Sequence, residues 1–114
     1  MSEEKKLIDT KVGLQYCMGK PDFYRQVMEL FASGAKEDRI KETFEAKEWE
    51  NYRVEVHAVK GTAMTIGAVS LSEKAKAIDL DIKAGKTPIS RESHEAFLEE
   101  YLEVLRLIRE DKVL

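Results

Sequence analysis

The chain contains 114 residues, of which 43% are hydrophobic and 36% are charged, and it carries a net charge of −3 at pH 7. This length and composition predict one folded domain over residues 1–114 and exclude a disordered chain. The small negative charge argues against a nucleic-acid binder, and the lack of an apolar run of about 20 residues argues against a membrane protein. A polar start with no apolar stretch behind it, and a single cysteine, predict a cytoplasmic protein.

Glycines and prolines are few and separate long segments of helical periodicity, so the sequence predicts an all-α fold. A short first helix is expected over residues 10–18, with Gly19 as its terminator. The second helix begins at Pro21, because proline suits a first helical position. The apolar stripe of this second helix comprises Phe23, Val27, Leu30 and Phe31. Its end stays open, since Ile40 and Phe44 continue an apolar face.

Three longer helices are expected over residues 48–66, 71–83 and 90–110, each with apolar residues at three- and four-residue steps. Ser70 and Glu73 form a capping box at the start of the middle one. The three stripes comprise Tyr52, Val56, Val59, Ala63 and Ile66; then Leu71, Ala75, Ile78 and Ile82; then Leu98, Tyr101, Leu105 and Ile108, broadened by Phe97 and Leu102. An antiparallel up-and-down four-helix bundle with a short extra N-terminal helix is the simplest way to bury these faces.

Gly61 stands inside a predicted helix, where glycine costs about 1 kcal/mol relative to alanine. Either another helix packs closely against its bare backbone, or a partner molecule must approach there. His57 and Lys60 lie on the same helix face, and His57 borders the apolar stripe, so its ring is expected to be partly exposed. Imidazole can act as a nucleophile, an ammonium group can offset anionic charge, and glycine leaves room for a partner. This arrangement suits a phosphoryl group arriving at His57, with a solvated surface histidine as the alternative.

Asp79 is expected at the same level as His57 if the two helices that carry them form a hairpin turning near Ala68. Both residues would then lie about 16 Å from the turn, at 1.5 Å per residue. A carboxylate there accepts a hydrogen bond from one imidazole nitrogen and fixes the tautomer. The alternative is a solvated acid on a charged helix face.

A known family has the pattern His-x-hydrophobic-Lys-Gly-Ser/Thr/Ala, followed by hydrophobic-Gly-Ala and a leucine. This chain carries it as His57-Ala58-Val59-Lys60-Gly61-Thr62-Ala63, Ile66-Gly67-Ala68 and Leu71. Further matches are Ile8-Asp9, Gly13-Leu14, Asp22-Phe23-Tyr24, Leu30-Phe31 and Glu48-Trp49. Over residues 8–110 the chain therefore resembles the histidine-containing phosphotransfer (HPt) domain.

The resemblance implies a four-helix bundle in which His57 is phosphorylated on an exposed ring nitrogen. It further implies that Lys60 supports the phosphoryl group and that Gly61 keeps the approach clear. Asp79 occupies the position where members often carry glutamate or glutamine facing the histidine. The shorter acid leaves open whether it reaches His57 directly or through water. Thr62 replaces a common serine.

By the same resemblance, the protein is a phosphorelay carrier that exchanges phosphate with aspartates of response-regulator receiver domains, and its partners include hybrid sensor histidine kinases. It has neither a Gly-rich phosphate loop after a strand nor an acidic magnesium cluster, so it is expected to be no enzyme and to need no cofactor of its own. Magnesium would sit in the receiver partner, and a monomer is expected.

Two alternatives stay open. The chain could be a helical interaction module that regulates a receiver or kinase without being phosphorylated. It could also be a domain cut from a chemotaxis kinase or a hybrid sensor kinase.

Other residues are expected to be structural. His94 has no cysteine or histidine at ligand spacing, which favours a solvated or stripe-edge position. Trp49 is expected to anchor packing, and Cys17 to be a small buried hydrophobe, with a reactive thiol as the alternative. Met64 and Ala68 share the helix face of His57, where Met64 serves either packing or a partner contact. A charged outer face, rather than a di-metal site, is expected for Glu95, Glu99, Glu100 and Glu103.

Overall fold

Six α-helices make up the described part of the chain. The structure is a computed structural model that describes residues 7–114, and no β-strand occurs within that range. The helices are α1 (Thr10–Tyr16), α2 (Pro21–Ser33), α3 (Glu37–Glu45), α4 (Trp49–Thr65), α5 (Val69–Lys83) and α6 (Arg91–Arg109). The predicted all-α fold is confirmed. None of the described helices is long and apolar enough to cross a membrane. Residues 1–6, which argued against a secretory signal, lie outside the described residues.

Local signals set where several helices begin. Asp9 accepts hydrogen bonds from two amides of the first turn of α1, at 3.0 and 3.3 Å, and Ser90 caps α6 in the same way at 3.0 Å. Pro21 occupies the first position of α2, as predicted. The predicted capping box at Ser70 is wrong, because α5 already begins at Val69 and Ser70 lies within the helix.

The stripe predicted for α2 is partly wrong. Phe23 and Leu30 are 39% and 70% exposed, whereas Tyr24, Met28 and Phe31 are buried. The Tyr24 hydroxyl donates a hydrogen bond of 2.7 Å to a main-chain carbonyl at the end of α4. This contact favours Tyr24 over its neighbour as the inward residue, because a buried phenol needs an acceptor.

Helix α2 ends at Ser33, and α3 is a separate helix that begins at Glu37. The main-chain amide of Lys36 lies in this break and donates to the Tyr101 hydroxyl of α6 at 2.8 Å. Ile40 and Phe44 are buried on α3, as their apolar pattern predicted. The sequence did not predict where the second helix ends, because the segment after it is fixed by this hydrogen bond to the distant helix α6.

The hairpin of α4 and α5 carries the centre of the core. All five residues of the predicted α4 stripe are buried, and so are Leu71, Ala75 and Ile78 of α5. Gly67 joins the two helices with a φ of +87°, and an added Cβ would collide with the Asp9 carbonyl. Glycine is required there, because L side chains rarely adopt that φ and no space is left for one.

Candidate functional site

His57 lies on α4 at the boundary between core and solvent. Its side chain is 51% exposed, while the preceding residue, Val56, is completely buried. This matches the position expected from the apolar stripe. The ring is therefore anchored on a rigid helix with part of its surface accessible to a partner.

Asp79 of α5 faces His57 directly. The Nδ1 atom of His57 lies 3.0 Å from Oδ2 of Asp79, a hydrogen-bond distance that leaves no room for an intervening water. The Asp79 side chain is only 1% exposed, so the alternative of a solvated acid is wrong. The shorter acid of this chain reaches the imidazole without a bridge.

Three cations surround the Asp79 carboxylate in addition to the imidazole. Arg53 donates from Nη1 to Oδ1 at 3.3 Å, and the Nζ atoms of Lys60 and Lys83 each lie 3.6 Å from Oδ2. Burial alone raises the pKa of the Asp79 carboxyl. The hydrogen bonds from His57 and Arg53, with the charge of Lys83, outweigh burial and hold that pKa below its ordinary value. Asp79 is therefore an ionised carboxylate at neutral pH.

The ionised carboxylate determines the roles of the two imidazole nitrogens. A carboxylate only accepts, so the neutral His57 ring must donate from Nδ1. The Nε2 atom then carries the lone pair, which is the position from which an imidazole can act as a nucleophile. A buried acid on α5 thus orients a half-exposed base on α4.

Gly61 lies one turn beyond His57 and is open to solvent. A Cβ built on it would meet no heavy atom within 4 Å, so close packing of another helix does not explain the glycine. The neighbouring Lys60 side chain is 29% exposed. The surface next to the imidazole therefore combines an accessible ammonium group with a bare stretch of helix.

An apolar groove of about 330 Å³ runs beside this surface, between α2 and α4. Leu30 and Val27 line it from α2, and Ala58 and Thr62 from α4. Of the other residues expected on the His57 face, Met64 is half-buried, and Ala68 is fully buried and so unavailable to a partner. Ala68 is hidden because it lies at the turn into α5 rather than on the exposed part of α4.

Arg53 and Lys83 were not identified from the sequence. Arg53 precedes His57 by four residues and Lys83 follows Asp79 by four, so each lies one helical turn away on the same face. Helical spacing was a signal that could have found both. Their convergence on one carboxylate depends on the register between the two helices.

The predicted solvated or stripe-edge position of His94 is wrong, because the residue is buried. Its side chain is 3% exposed, its Nδ1 lies 2.8 Å from the Tyr52 hydroxyl, and its ring stacks on Phe44 with centroids 3.8 Å apart. Trp49 packs in edge-to-face geometry with Phe44 and with Tyr52, as expected for an anchor. Cys17 is completely buried, as expected for a small hydrophobe.

The glutamates of α6 do not assemble a metal site. Glu95 and Glu99 are exposed, while Glu100 is half-buried and pairs with Lys74 of α5 at 2.9 Å. Within residues 7–114 no group of three or more His, Cys, Asp or Glu side chains is placed to hold a metal ion. On the charged outer face that was predicted, Glu100 is the half-buried member that joins α6 to α5.

Comparison with known proteins agrees with the geometry. A family model described as the Hpt domain matches residues 26–108, more than two thirds of the chain, and the match includes His57, Lys60, Gly61 and Asp79. No curated protein and no solved structure matches the chain significantly. The likeness of residues 8–25 to the N-terminal region of the family lies outside the match and stays a prediction. The chain belongs to the Hpt domain family, the phosphocarrier modules of histidine phosphotransfer in two-component signalling.

Proposed function

We propose that this protein carries a phosphoryl group on Nε2 of His57 and exchanges it with the aspartates of receiver domains. The observation that carries the proposal is the hydrogen bond between the half-exposed His57 and the buried, ionised Asp79. This bond commits Nδ1 to donation and leaves Nε2 as the nucleophile. A fully buried His57 would have argued against the carrier role, and this ring is accessible.

The transfer step needs no proton movement. The Nε2 lone pair forms a bond to phosphorus while the bond from phosphorus to the receiver's aspartyl oxygen breaks, and its electron pair returns to that carboxylate. The ring keeps its proton on Nδ1 and becomes cationic, next to the anionic Asp79 at 3.0 Å. In the reverse direction the electron pair returns to Nε2, so the leaving group is a neutral imidazole.

Lys60 and Gly61 serve the incoming phosphoryl group in this proposal. The Lys60 side chain is partly exposed, and its ammonium group lies 3.6 Å from Asp79, the hydrogen-bond partner of the imidazole. Its charge can therefore offset that of the phosphoryl oxygens. Gly61 presents no side chain to the partner. The receiver domain supplies the magnesium ion and the aspartate, and this chain contributes a positioned nucleophile.

The apolar groove beside the site suits the docking of a receiver domain. Leu30 is 70% exposed on α2 and Ala58 follows His57 on α4, so apolar contact area adjoins the reacting atom. Docking there would bring the receiver's aspartate to the imidazole and bury otherwise exposed apolar surface. We place the protein in the cytoplasm as a monomer that binds receiver domains or hybrid sensor kinases.

We also propose that α2, α4, α5 and α6 form the antiparallel four-helix bundle that the family implies. The contacts of α4 with α5, of α5 with α6 and of α2 with α6 support this arrangement. The short α1 packs against α2 and α4, in keeping with an extra N-terminal helix.

Incubation with phosphoramidate, and separately with a phosphorylated receiver domain, tests the proposed function. Intact mass is expected to show one acid-labile phosphoryl group, absent from a His57→Gln variant that still contains His94. A known Hpt protein phosphorylated in parallel controls for the donor. If that control is phosphorylated and this protein is not, the carrier role is wrong and the non-phosphorylated interaction module is favoured.

A further inference from the structure

Arg53 and His57 each form a hydrogen bond to a different oxygen of the buried Asp79 carboxylate. Arg53 donates from Nη1 to Oδ1 of Asp79 at 3.3 Å, and His57 donates from Nδ1 to Oδ2 at 3.0 Å. Lys60 and Lys83 approach Oδ2 at 3.6 Å, beyond hydrogen-bond distance. Among the described residues, Arg53 is therefore the group that donates a hydrogen bond to the oxygen facing away from the imidazole.

Arg53 is itself held in place by Glu50, one turn earlier on α4. Its Nε lies 3.1 Å from one carboxylate oxygen of Glu50 and its Nη2 lies 2.6 Å from the other. This paired contact engages one side of the guanidinium plane and leaves Nη1 directed at Asp79. The Arg53 side chain is only 21% exposed, so its position is further limited by packing.

These contacts constrain the carboxylate in two ways. A carboxylate bound only at Oδ2 can rotate about its Cβ–Cγ bond, and the bond at Oδ1 opposes that rotation. Arg53 also favours the ionised form of Asp79, and an ionised carboxylate only accepts hydrogen bonds, so the imidazole must donate to it from Nδ1. Both effects hold His57 in the form whose lone pair lies on Nε2.

We infer that Arg53 is a positioning residue that fixes the Nδ1–H tautomer of His57 by acting through Asp79. The benefit of that tautomer for phosphoryl transfer rests on the proposed function. The tautomer itself is a property of the protein without phosphate. A purely structural role, in which Arg53 only neutralises a buried acid, predicts no change in the tautomer, because Lys60 and Lys83 remain to supply charge.

Nitrogen-15 NMR of the two imidazole rings tests the inference at a pH where both are neutral. The Arg53→Gln variant is expected to lower the ratio of Nδ1–H to Nε2–H tautomer at His57 by about threefold or more, as loss of a charge-assisted hydrogen bond implies. Unchanged His94 signals show that the fold is intact, since His94 contacts Tyr52 and Phe44 instead.

Arg106→Gln is the matched control. Arg106 makes the same paired contact with a glutamate three residues earlier on α6, Glu103, but no contact with Asp79. The control is expected to leave the His57 tautomer unchanged. Arg53→Lys, which keeps a charge but not the planar fork, is expected to give an intermediate ratio and serves if the glutamine variant does not fold.

A double-mutant cycle with Asp79→Asn decides whether Arg53 acts through the carboxylate. We expect Arg53→Gln to have no further effect on the tautomer in the Asp79→Asn background. An unchanged ratio in folded Arg53→Gln, or an equal change in both backgrounds, would overturn the inference. Failure of the wild type to accept phosphate from phosphoramidate would instead reject the proposed function while leaving the tautomer result standing.

Discussion

The two histidines of this chain make the same kind of contact in opposite surroundings. Each uses Nδ1 toward a side chain of another helix, His57 toward Asp79 at 3.0 Å and His94 toward Tyr52 at 2.8 Å. His57 is 51% exposed and faces a carboxylate ringed by cations, whereas His94 is 3% exposed and stacks on Phe44. The difference leaves the His57 ring accessible to a partner and places the His94 ring in the core.

The pKa of His94 follows from its surroundings. Burial lowers the pKa of this imidazole below its ordinary value, the Arg91 charge lowers it further, and Glu45 and Glu95 oppose the shift. His94 is therefore neutral at pH 7 in the folded state.

The largest expected effect is the loss of stability on removing the His94 ring. His94→Ala deletes a buried ring and leaves the Tyr52 hydroxyl without its partner, which should cost about 3 kcal/mol in the free energy of unfolding. His57→Ala should cost less, about 1–2 kcal/mol, because half of its ring is already in water and the main loss is the hydrogen bond to Asp79. Urea unfolding of both variants checks this, and equal losses would contradict the comparison.

A smaller change in the free energy of unfolding is expected when the pH is lowered. The folded-state pKa of His94 lies below its unfolded value of about 6.5, so the unfolded chain binds the proton more readily. The stability that neutral His94 contributes is present above that pH and declines as pH falls through it toward the folded-state value. Asp79, whose pKa is lowered, retains its contribution until the pH falls below about 4.

Urea unfolding at pH 7 and pH 5, in wild type and His94→Phe, measures this dependence. The phenylalanine keeps an aromatic ring in place but cannot titrate, so the decline in stability is expected to be smaller in the variant. An equal decline in the two proteins would show that His94 does not cause it.

The smallest expected effect on stability concerns Gly61, one helical turn from His57. Gly61→Ala should raise the free energy of unfolding by about 0.5–1 kcal/mol, because the added methyl group meets no atom within 4 Å and alanine favours helix. Thermal unfolding measures this change. Gly61→Leu is expected to slow phosphoryl exchange with a receiver domain more than uptake from phosphoramidate, and equal slowing would argue against a role in partner access.

Sequence periodicity predicted the features that depend on the residues of a single helix. The buried stripe of α4 and the edge position of His57 follow from residue spacing within a single helix, whereas the openness at Gly61 was one of two alternatives that the structure decided. The register between His57 and Asp79 was also predictable, since a short turn at Gly67 relates positions on the two helices. The predicted start of the last helix at residue 90 agrees with the structure, in which Ser90 caps α6.

Periodicity failed where two neighbouring residues were equally apolar. On α2 the pairs Phe23–Tyr24 and Leu30–Phe31 each offered two candidates for the core, and the acceptor for the Tyr24 hydroxyl lies on α4. His94 precedes Phe97 and Tyr101 by three and seven residues, a spacing compatible with the buried face, but the prediction favoured a solvated or stripe-edge position. Its burial requires the Phe44 ring of α3, on which the imidazole stacks, and the Tyr52 hydroxyl of α4, which lies at hydrogen-bond distance from its Nδ1.

The sequence by itself determined the helical class, the central helix hairpin and the position of the candidate nucleophile, because these depend on residues close together in the chain. Only the tertiary structure decided which acid is buried, which cations surround it and which histidine is hidden. Those outcomes depend on the packing of separate helices, where a rotation of one residue changes which side chains meet. Arg53 illustrates this, since its link to Asp79 exists only once α5 packs against α4.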